Sequence, residues 1–355
     1  MAASVANGAR PLELCLSVPN AAPYNQWVSV ATDRAVEPLG IERVLLASPR
    51  GYCAGVDRAV QTVELALERY GAPVYVRKEI VHNKHVVEQL RARGAIFVEE
   101  ETEVPEGSVT VFSAHGVAPS VRANAEARSL RTIDATCPLV TKVHVEARRF
   151  VADGYTVILI GHDGHEEVEG TMGEAPGQIL LVQSEEDVDS LEVPDRERVA
   201  YTTQTTLAVD ETRSIIERLR ERFPAIVGPR TDDICYATTN RQAAVRQLAA
   251  HCELVLVVGS RNSSNSQRLV EVARDCGARS HLIDNVREVE EAWLEGVRTL
   301  GISSGASAPE ELVSELVERF AERGVTDVSE LEFTREDVRF MLPKTIRPTA
   351  RAAAE

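Results

Sequence analysis

The segment PRGYCAGVDRA, residues 49–59, joins a short apolar run at residues 44–47 to a pattern of apolar positions at helical spacing. Cys53 is therefore predicted to lie in a strand-to-helix turn. The flanking glycines, Gly51 and Gly55, let the backbone approach a ligand closely. Because the unpaired N–H groups and the dipole of a helix start lower the pKa of a thiol, Cys53 is a candidate nucleophile or metal ligand.

Two further cysteines occur in similar settings. Cys137 lies in DATCPLVTK, residues 134–142, and Cys235 lies in DDICYATTN, residues 232–240. Each follows an aspartate and precedes a new element, and the intervals between the three cysteines match the size of small α/β units. A lone cysteine is more often a buried packing residue. Three thiols in equivalent turns instead indicate a shared centre that requires sulfur.

Length, charge and composition exclude several classes of protein. The chain has 355 residues, enough for two or three domains, and a net charge of −16, which disfavours binding to nucleic acid. No apolar run approaches the length of a membrane span, and residues 1–20 do not resemble a secretory signal. We therefore expect a cytoplasmic protein. In that reducing setting, six cysteines without CxxC pairs favour metal or redox chemistry over disulfides.

Strand-like runs alternate with helical stretches along most of the chain, which predicts α/β domains with parallel sheets. Residues 211–223 and 310–323 have clear helical periodicity. The nine predicted strands are residues 44–47, 74–76, 109–113, 156–160, 179–182, 199–202, 254–258, 281–283 and 299–303.

The alternation also predicts a division of the chain into segments. Residues 1–40 lack a sustained period and are expected to form a flexible N-terminal extension. The three predicted α/β domains are residues 41–136, 137–234 and 235–325. In the C-terminal tail, residues 326–355, Val338, Phe340 and Leu342 alternate like a strand.

Polar residues cluster where the predicted strands end, which is where parallel sheets bind ligands. The clusters are rich in His, Ser, Thr and Asn, which can hold a phosphate or diphosphate near helix N-termini. Neither GxxxxGK[ST] nor GxGxxG is present. Local roles remain open for some of these residues, because Ser307 before Glu310 and Ser264 before Gln267 have capping-box spacing.

Together these segments resemble the 4-hydroxy-3-methylbut-2-enyl diphosphate reductase family. The resemblance runs from about residue 41 to residue 342 and covers PRGYCAGVDRA, EIVHNKHVV, FSAHGV, DATCPLVTKVH, GHDGHEEVEGTMG, TQTTL, DDICYATTNRQ, VVGSRNSSNS and SSGASAP. It implies three α/β domains in a trefoil-like arrangement around a central 4Fe–4S cluster. The reaction it implies is reductive dehydroxylation of the diphosphate substrate to isopentenyl and dimethylallyl diphosphate, with a ferredoxin or flavodoxin as electron donor.

The resemblance also implies a role for each matched residue. The cluster ligands fall on Cys53, Cys137 and Cys235, the proton donor falls on Glu167, and the residue that orients the hydroxyl network falls on Thr205. The substrate and diphosphate contacts fall on His82, His115, His165, Thr205, Ser263, Ser264, Asn265 and Ser307.

This chain departs from the family pattern at one site position. Glu166 stands where the family usually has proline, and two adjacent carboxylates are expected to raise each other's pKa. A zinc-dependent hydrolase using His162, His165 and a nearby carboxylate is one alternative function, and a non-catalytic binder of phosphorylated ligands is another. Cys252 and Cys276 are expected to be packing residues.

Overall fold

The computed structural model describes residues 40–347. Residues 1–39 of the predicted N-terminal extension and residues 348–355 of the predicted tail lie outside this range. The fold is α/β, as the sequence predicts, and its three sheets are entirely parallel.

The described residues contain twelve strands. They are β1 (Arg43–Ser48), β2 (Val74–Arg77), β3 (Ala95–Val98), β4 (Val109–Phe112), β5 (Arg131–Asp134), β6 (Thr156–Ile160), β7 (Ile179–Val182), β8 (Val199–Thr203), β9 (Leu254–Val258), β10 (Arg279–Ile283), β11 (Thr299–Ser304) and β12 (Asp327–Glu332). Sheet A has the order β10-β9-β11-β1-β12, sheet B the order β3-β2-β4-β5, and sheet C the order β7-β6-β8.

Eleven α-helices connect these strands in the same part of the chain. They are α1 (Ala54–Tyr70), α2 (Lys84–Ala92), α3 (Pro119–Ala127), α4 (Pro138–Ala152), α5 (Glu166–Met172), α6 (Glu185–Ser190), α7 (Val209–Arg222), α8 (Tyr236–Ala249), α9 (Ser264–Asp275), α10 (Glu291–Leu294) and α11 (Glu310–Glu322). No helix in the described range is both long and apolar enough to cross a membrane.

All nine predicted strands are present, and three more were missed. Strands β3 and β5 are the two edges of sheet B and have one fully buried residue each, so burial imposes little pattern on their sequences. Strand β12, with the sequence DVSELE, is an edge strand whose residues are mostly exposed and polar. The strand-like alternation at residues 338–342 is not a strand, because this segment is extended chain without ladder hydrogen bonds.

The core of sheet A shows why its inner strand β9 is continuously apolar. Along β9, Leu254, Leu256 and Val258 face α11, whereas Val255 and Val257 face α8 and α9. A strand covered by helices on both faces must be apolar at every position. Sheets B and C are likewise packed on both faces.

Three helices carry the chain from one sheet to the next. Helix α1 follows β1 of sheet A but packs on sheet B, and α4 follows β5 of sheet B but packs on sheet C. Helix α8 follows the sheet C segment and packs back on sheet A. The three sheets are therefore linked in a cycle, and a cysteine stands at the start of each linking helix.

The sheets do not follow the predicted segment boundaries at two places. Strand β1, assigned to the first segment, lies in sheet A between β11 and β12. Strand β12, assigned to the tail, completes the same sheet. Hydrophobic pattern and chain order identify strands, but they do not identify strand neighbours that are far apart in sequence.

The segment after β12, residues 333–347, forms a strap from sheet A to sheet B. It begins where the Phe333 N–H donates to the Ser48 carbonyl, 2.7 Å away, and it ends where Ile346 is buried in the core beneath α1. Two buried arginines bind this strap. Arg241 pairs with Glu336 at 3.1 Å, and Arg58 donates to the Met341 carbonyl at 2.9 Å.

Candidate functional site

The three predicted ligand cysteines meet at one cavity, although they begin three different helices. Cys53, Cys137 and Cys235 are the N-cap residues of α1, α4 and α8, and all three line one cavity. The Cys53 and Cys235 sulfurs accept hydrogen bonds from the backbone N–H groups of Val56 and Thr238. The helix starts therefore direct their N–H groups at the sulfurs.

Each cysteine is fixed to a polar loop by its own backbone. The N–H of Cys53 donates to the Ala306 carbonyl, that of Cys137 to the Ala114 carbonyl, and that of Cys235 to the Thr205 carbonyl. These acceptors lie in loops after β11, β4 and β8, which carry predicted substrate contacts. The thiols and the polar side chains are thus held in one frame.

The residues around the thiols fit an iron-sulfur cluster. A Cβ added at Gly55 would stand 2.7 Å from the Cys137 sulfur and 3.7 Å from the Cys53 sulfur, so both sulfurs lie against bare backbone. Burial and the neighbouring thiols raise the pKa of Cys137 to about 12 and that of Cys235 to about 11. Three thiols crowded together in this way need a strong positive charge to become thiolates, and a group of iron ions supplies one.

Three histidines from three different loops form the next layer of the cavity. The His82 and His115 rings are stacked, with centroids 4.0 Å apart, and His165 stands edge-on to them at 5.4 and 5.9 Å. Burial and the neighbouring His115 lower the pKa of His82, and the same causes together with His82 lower that of His165 to about 3. The pKa of His115 is raised, because Glu166 outweighs the effect of burial.

Adjacent carboxylates on α5 serve different partners. Glu167 is buried and accepts hydrogen bonds from the Thr205 backbone N–H at 2.9 Å and from the Thr205 hydroxyl at 2.9 and 3.1 Å. Glu166 instead contacts His115 and Ser113. The expectation that the two carboxylates raise each other's pKa is wrong for Glu166: burial raises its pKa, but His115 outweighs burial and brings it down to about 2.

The start of α9 and the loop after β11 close the remaining side. Ser263 is the N-cap of α9, and the side-chain Oδ1 of Asn265 accepts from the Ala306 N–H at 2.8 Å. The Nδ2 atom of Asn265 is buried and has no hydrogen-bond partner among the described residues. The Ser307 hydroxyl donates to the His82 carbonyl at 2.9 Å. Neither Ser264 nor Ser307 takes the capping role that its spacing left open, since Ser263 and Pro309 occupy the N-cap positions.

The structure brings every predicted site residue to this one cavity. The lining includes Cys53, Cys137, Cys235, His82, His115, His165, Glu167, Thr205, Ser263, Ser264, Asn265 and Ser307. Because these residues come from loops after strands of all three sheets, their convergence does not follow from proximity along the chain.

The arrangement does not favour the zinc site considered from the sequence. His162 lies beside Arg268, with 2.6 Å between their nitrogens, and this guanidinium together with burial lowers the pKa of His162. Among the described residues, the histidines and carboxylate near enough to share an ion are His82, His115 and Glu166. The Glu166 side chain is already hydrogen-bonded to His115 and Ser113, so this group has partners without an ion.

Sequence reasoning missed two residues that hold the cysteine loops. The Arg58 guanidinium donates to the Ala135 and Thr136 carbonyls, immediately before Cys137. The Arg241 guanidinium donates to the Gly51 and Tyr52 carbonyls, immediately before Cys53. Both arginines follow a cysteine of the quoted motifs by more than one helical turn. An arginine in a helix is usually expected to be exposed, so the sequence gives no sign that these two are buried.

Comparison with known proteins gives consistent matches over most of the chain. The family model described as LytB protein matches residues 44–321. A 4-hydroxy-3-methylbut-2-enyl diphosphate reductase from Nocardia farcinica is 59% identical over 334 residues, which is 94% of this chain and 99% of that protein. The enzyme of the same name from Acidothermus cellulolyticus is 61% identical over 319 residues, or 90% and 94% of the two chains.

A solved structure agrees with the fold. The E-1-hydroxy-2-methyl-but-2-enyl-4-diphosphate reductase of Plasmodium falciparum is similar with a TM-score of 0.84 and 38% identity, covering 86% of this chain and 97% of that one. Taken with the match across residues 44–321, this likeness means that the chain belongs to the LytB protein family.

Proposed function

We propose that this protein is a 4-hydroxy-3-methylbut-2-enyl diphosphate reductase. In this reaction the allylic hydroxyl of the substrate is removed with two electrons and protons, giving isopentenyl diphosphate and dimethylallyl diphosphate. One observation carries the proposal: three thiols, three histidines and the Glu167–Thr205 pair line a single cavity. The names of the relatives support the same activity.

The three thiols are proposed to bind a 4Fe–4S cluster. Such a cluster held by three thiolates has one iron without a protein ligand, and it supplies electrons and a Lewis acid for the substrate hydroxyl. Cys53, Cys137 and Cys235 are the proposed ligands. The bare backbone of Gly55 leaves the space that a bulky inorganic group needs.

Glu167 is the proposed proton donor. Its carboxylate is buried at the cavity wall and fixed by two donors of Thr205, so its position is defined before substrate binds. A positioned carboxylic acid can protonate the departing oxygen, which would otherwise leave as hydroxide. Thr205 orients this acid, and its hydroxyl is near enough to join the network around the substrate.

The diphosphate is proposed to bind among the histidines and the polar start of α9. His82, His115 and His165 supply ring nitrogens, and Ser263, Ser264, Asn265 and Ser307 supply hydroxyl and amide groups. The buried and unpartnered Nδ2 of Asn265 is a donor that a phosphate oxygen would satisfy. Binding energy from this remote group holds the reacting carbon in place.

Electrons are proposed to come from a ferredoxin or flavodoxin in the cytoplasm. The net charge of −16 supports a small-molecule substrate over nucleic acid as a partner.

An anaerobic assay tests the proposal. Purified protein is mixed with the alcohol diphosphate and a reduced viologen dye, and both products are quantified alongside iron and acid-labile sulfide. Dye oxidation coupled to both products supports the reductase. A colourless protein that contains zinc and hydrolyses a phosphorylated compound would support the hydrolase instead, and substrate binding without turnover in iron-loaded protein would support a non-catalytic binder.

A further inference from the structure

Two histidines of the cavity wall are backed by carboxylates that lie outside it. His115 Nδ1 is 3.0 Å from the Glu166 carboxylate, and His82 Nδ1 is 3.3 Å from the Glu79 carboxylate. Among the described residues that line the cavity, both histidines are present and neither carboxylate is. Each carboxylate therefore contacts the Nδ1 of its histidine without itself lining the cavity.

Glu166 is held more tightly in this role than Glu79. The Ser113 hydroxyl donates to the same Glu166 oxygen that contacts His115, at 3.2 Å, and the side chains of Glu166 and His115 are both largely buried. Glu79 is more exposed and accepts a second hydrogen bond from Asn262. Glu166 is thus the carboxylate whose position is most constrained by the protein.

We propose that Glu166 is a positioning residue for the diphosphate: it holds the Nδ1–H of His115 and keeps this imidazole protonated, so that the Nε2–H serves a diphosphate oxygen. The inference rests on the proposed function, because it assigns the charge that binds the diphosphate of that substrate. It also separates Glu166 from Glu167, whose carboxylate faces Thr205.

The charged groups around His115 support this assignment. Burial opposes a proton on His115, whereas Glu166, Glu167 and Glu79 favour it, and the pKa of His115 is raised. Lys78 acts on Glu166, whose pKa of about 2 leaves it ionised at neutral pH. The pKa values of His82 and His165 are both lowered. One imidazolium in a stack of three rings avoids the repulsion that two would cause.

The neutral His165 ring can still donate to an anion. Its Nδ1 accepts the backbone N–H of Glu167 at 3.1 Å, so the proton of the neutral ring is on Nε2. The site then combines one charged donor, His115, with one neutral donor, His165.

The first test uses inorganic diphosphate as the probe. We expect Glu166→Gln, in anaerobically reconstituted protein, to bind diphosphate about tenfold more weakly by calorimetry, since a charge-assisted hydrogen bond is lost. In the reductase assay KM should rise by a similar factor, with kcat within about twofold. Glu166→Asp, which keeps the charge, should recover at least part of the affinity. Glu169→Gln, an exposed change on the same helix, is the matched control.

The pH dependence separates positioning from simple packing. Because the pKa of His115 is raised, affinity should persist above the ordinary histidine range and fall as pH rises through the pKa of His115. In Glu166→Gln this fall should begin at lower pH. In the wild-type protein without cluster, imidazole ¹⁵N spectra should show His115 titrating above pH ~6.5 and His165 well below it.

Several outcomes would overturn the inference. One is an affinity and pH profile that are the same in Glu166→Gln and Glu169→Gln. Another is a lowered kcat with unchanged KM in Glu166→Gln, which would make Glu166 a proton donor. Titration of His115 below the ordinary histidine range would also refute the inference. This measurement uses the wild-type protein and needs no variant. If diphosphate binding behaves as expected while the alcohol diphosphate is not reduced, the proposed function fails and the inference about Glu166 stands.

Discussion

At the scale of single residues, Glu167 is the side chain whose chemistry can be isolated most cleanly. Glu167→Gln keeps the shape and the contact with Thr205 but removes the transferable proton. We expect substrate affinity to be retained and turnover to fall by about 10² or more, as for loss of a general acid. Calorimetry and the viologen assay measure the two effects, with Glu169→Gln as the control. Turnover near that of the wild type would assign the proton donor elsewhere.

Gly55 allows a test of the space beside the thiols. In Gly55→Ala the new methyl carbon would stand 2.7 Å from the Cys137 sulfur, far inside normal contact distance, and the backbone there is not in the left-handed region. We expect most of the iron and sulfide to be lost while circular dichroism stays that of a folded protein. Gly40→Ala, which would contact nothing, should retain its iron. Full cluster content in Gly55→Ala would contradict the proposed position of the cluster.

At the scale of elements, the strap of residues 333–347 is fixed by the pairing of Arg241 with Glu336. The Arg241 side chain is 1% exposed, so a loss of its counter-charge leaves a buried cation. We expect Glu336→Gln to lower the free energy of unfolding by about 2 kcal/mol. The measurement is urea unfolding of the apoprotein.

An exposed ion pair nearby provides the control for this prediction. Glu332 and Arg335 also form an ion pair, but their side chains are 49% and 81% exposed. Glu332→Gln should therefore change stability by less than about 0.5 kcal/mol. Equal effects of the two substitutions would mean that the strap does not depend on the buried charge pair.

At the scale of the whole molecule, the proposed cluster would join helices that belong to three different sheets. A group bound only by the folded state stabilises that state by mass action, and here it would also connect the starts of α1, α4 and α8. We expect removal of the cluster to lower the melting temperature and to increase hydrogen exchange at all three helix starts together. Faster exchange at one start alone would count against a shared centre.

Much of this site could be predicted because its residues sit in short motifs after parallel strands, where the position of Cys53 or His115 follows from local pattern. The pairing of β1 with β12 could not be predicted, because it depends on packing between segments that are far apart in the sequence. The contact between Glu166 and His115 could not be predicted either. Its neighbour Glu167 is one residue away, and only the orientation of α5 decides which carboxylate faces Thr205 and which faces His115.

The position of β1 has a consequence for synthesis of the protein. Its partners β11 and β12 are synthesised some 250 residues later. The same is true of Ala306, whose carbonyl accepts the Cys53 N–H. Cys53, the first proposed ligand to be synthesised, therefore gains this backbone contact only after Ala306 has been added to the chain. We therefore expect insertion of the proposed cluster to follow synthesis of these last strands.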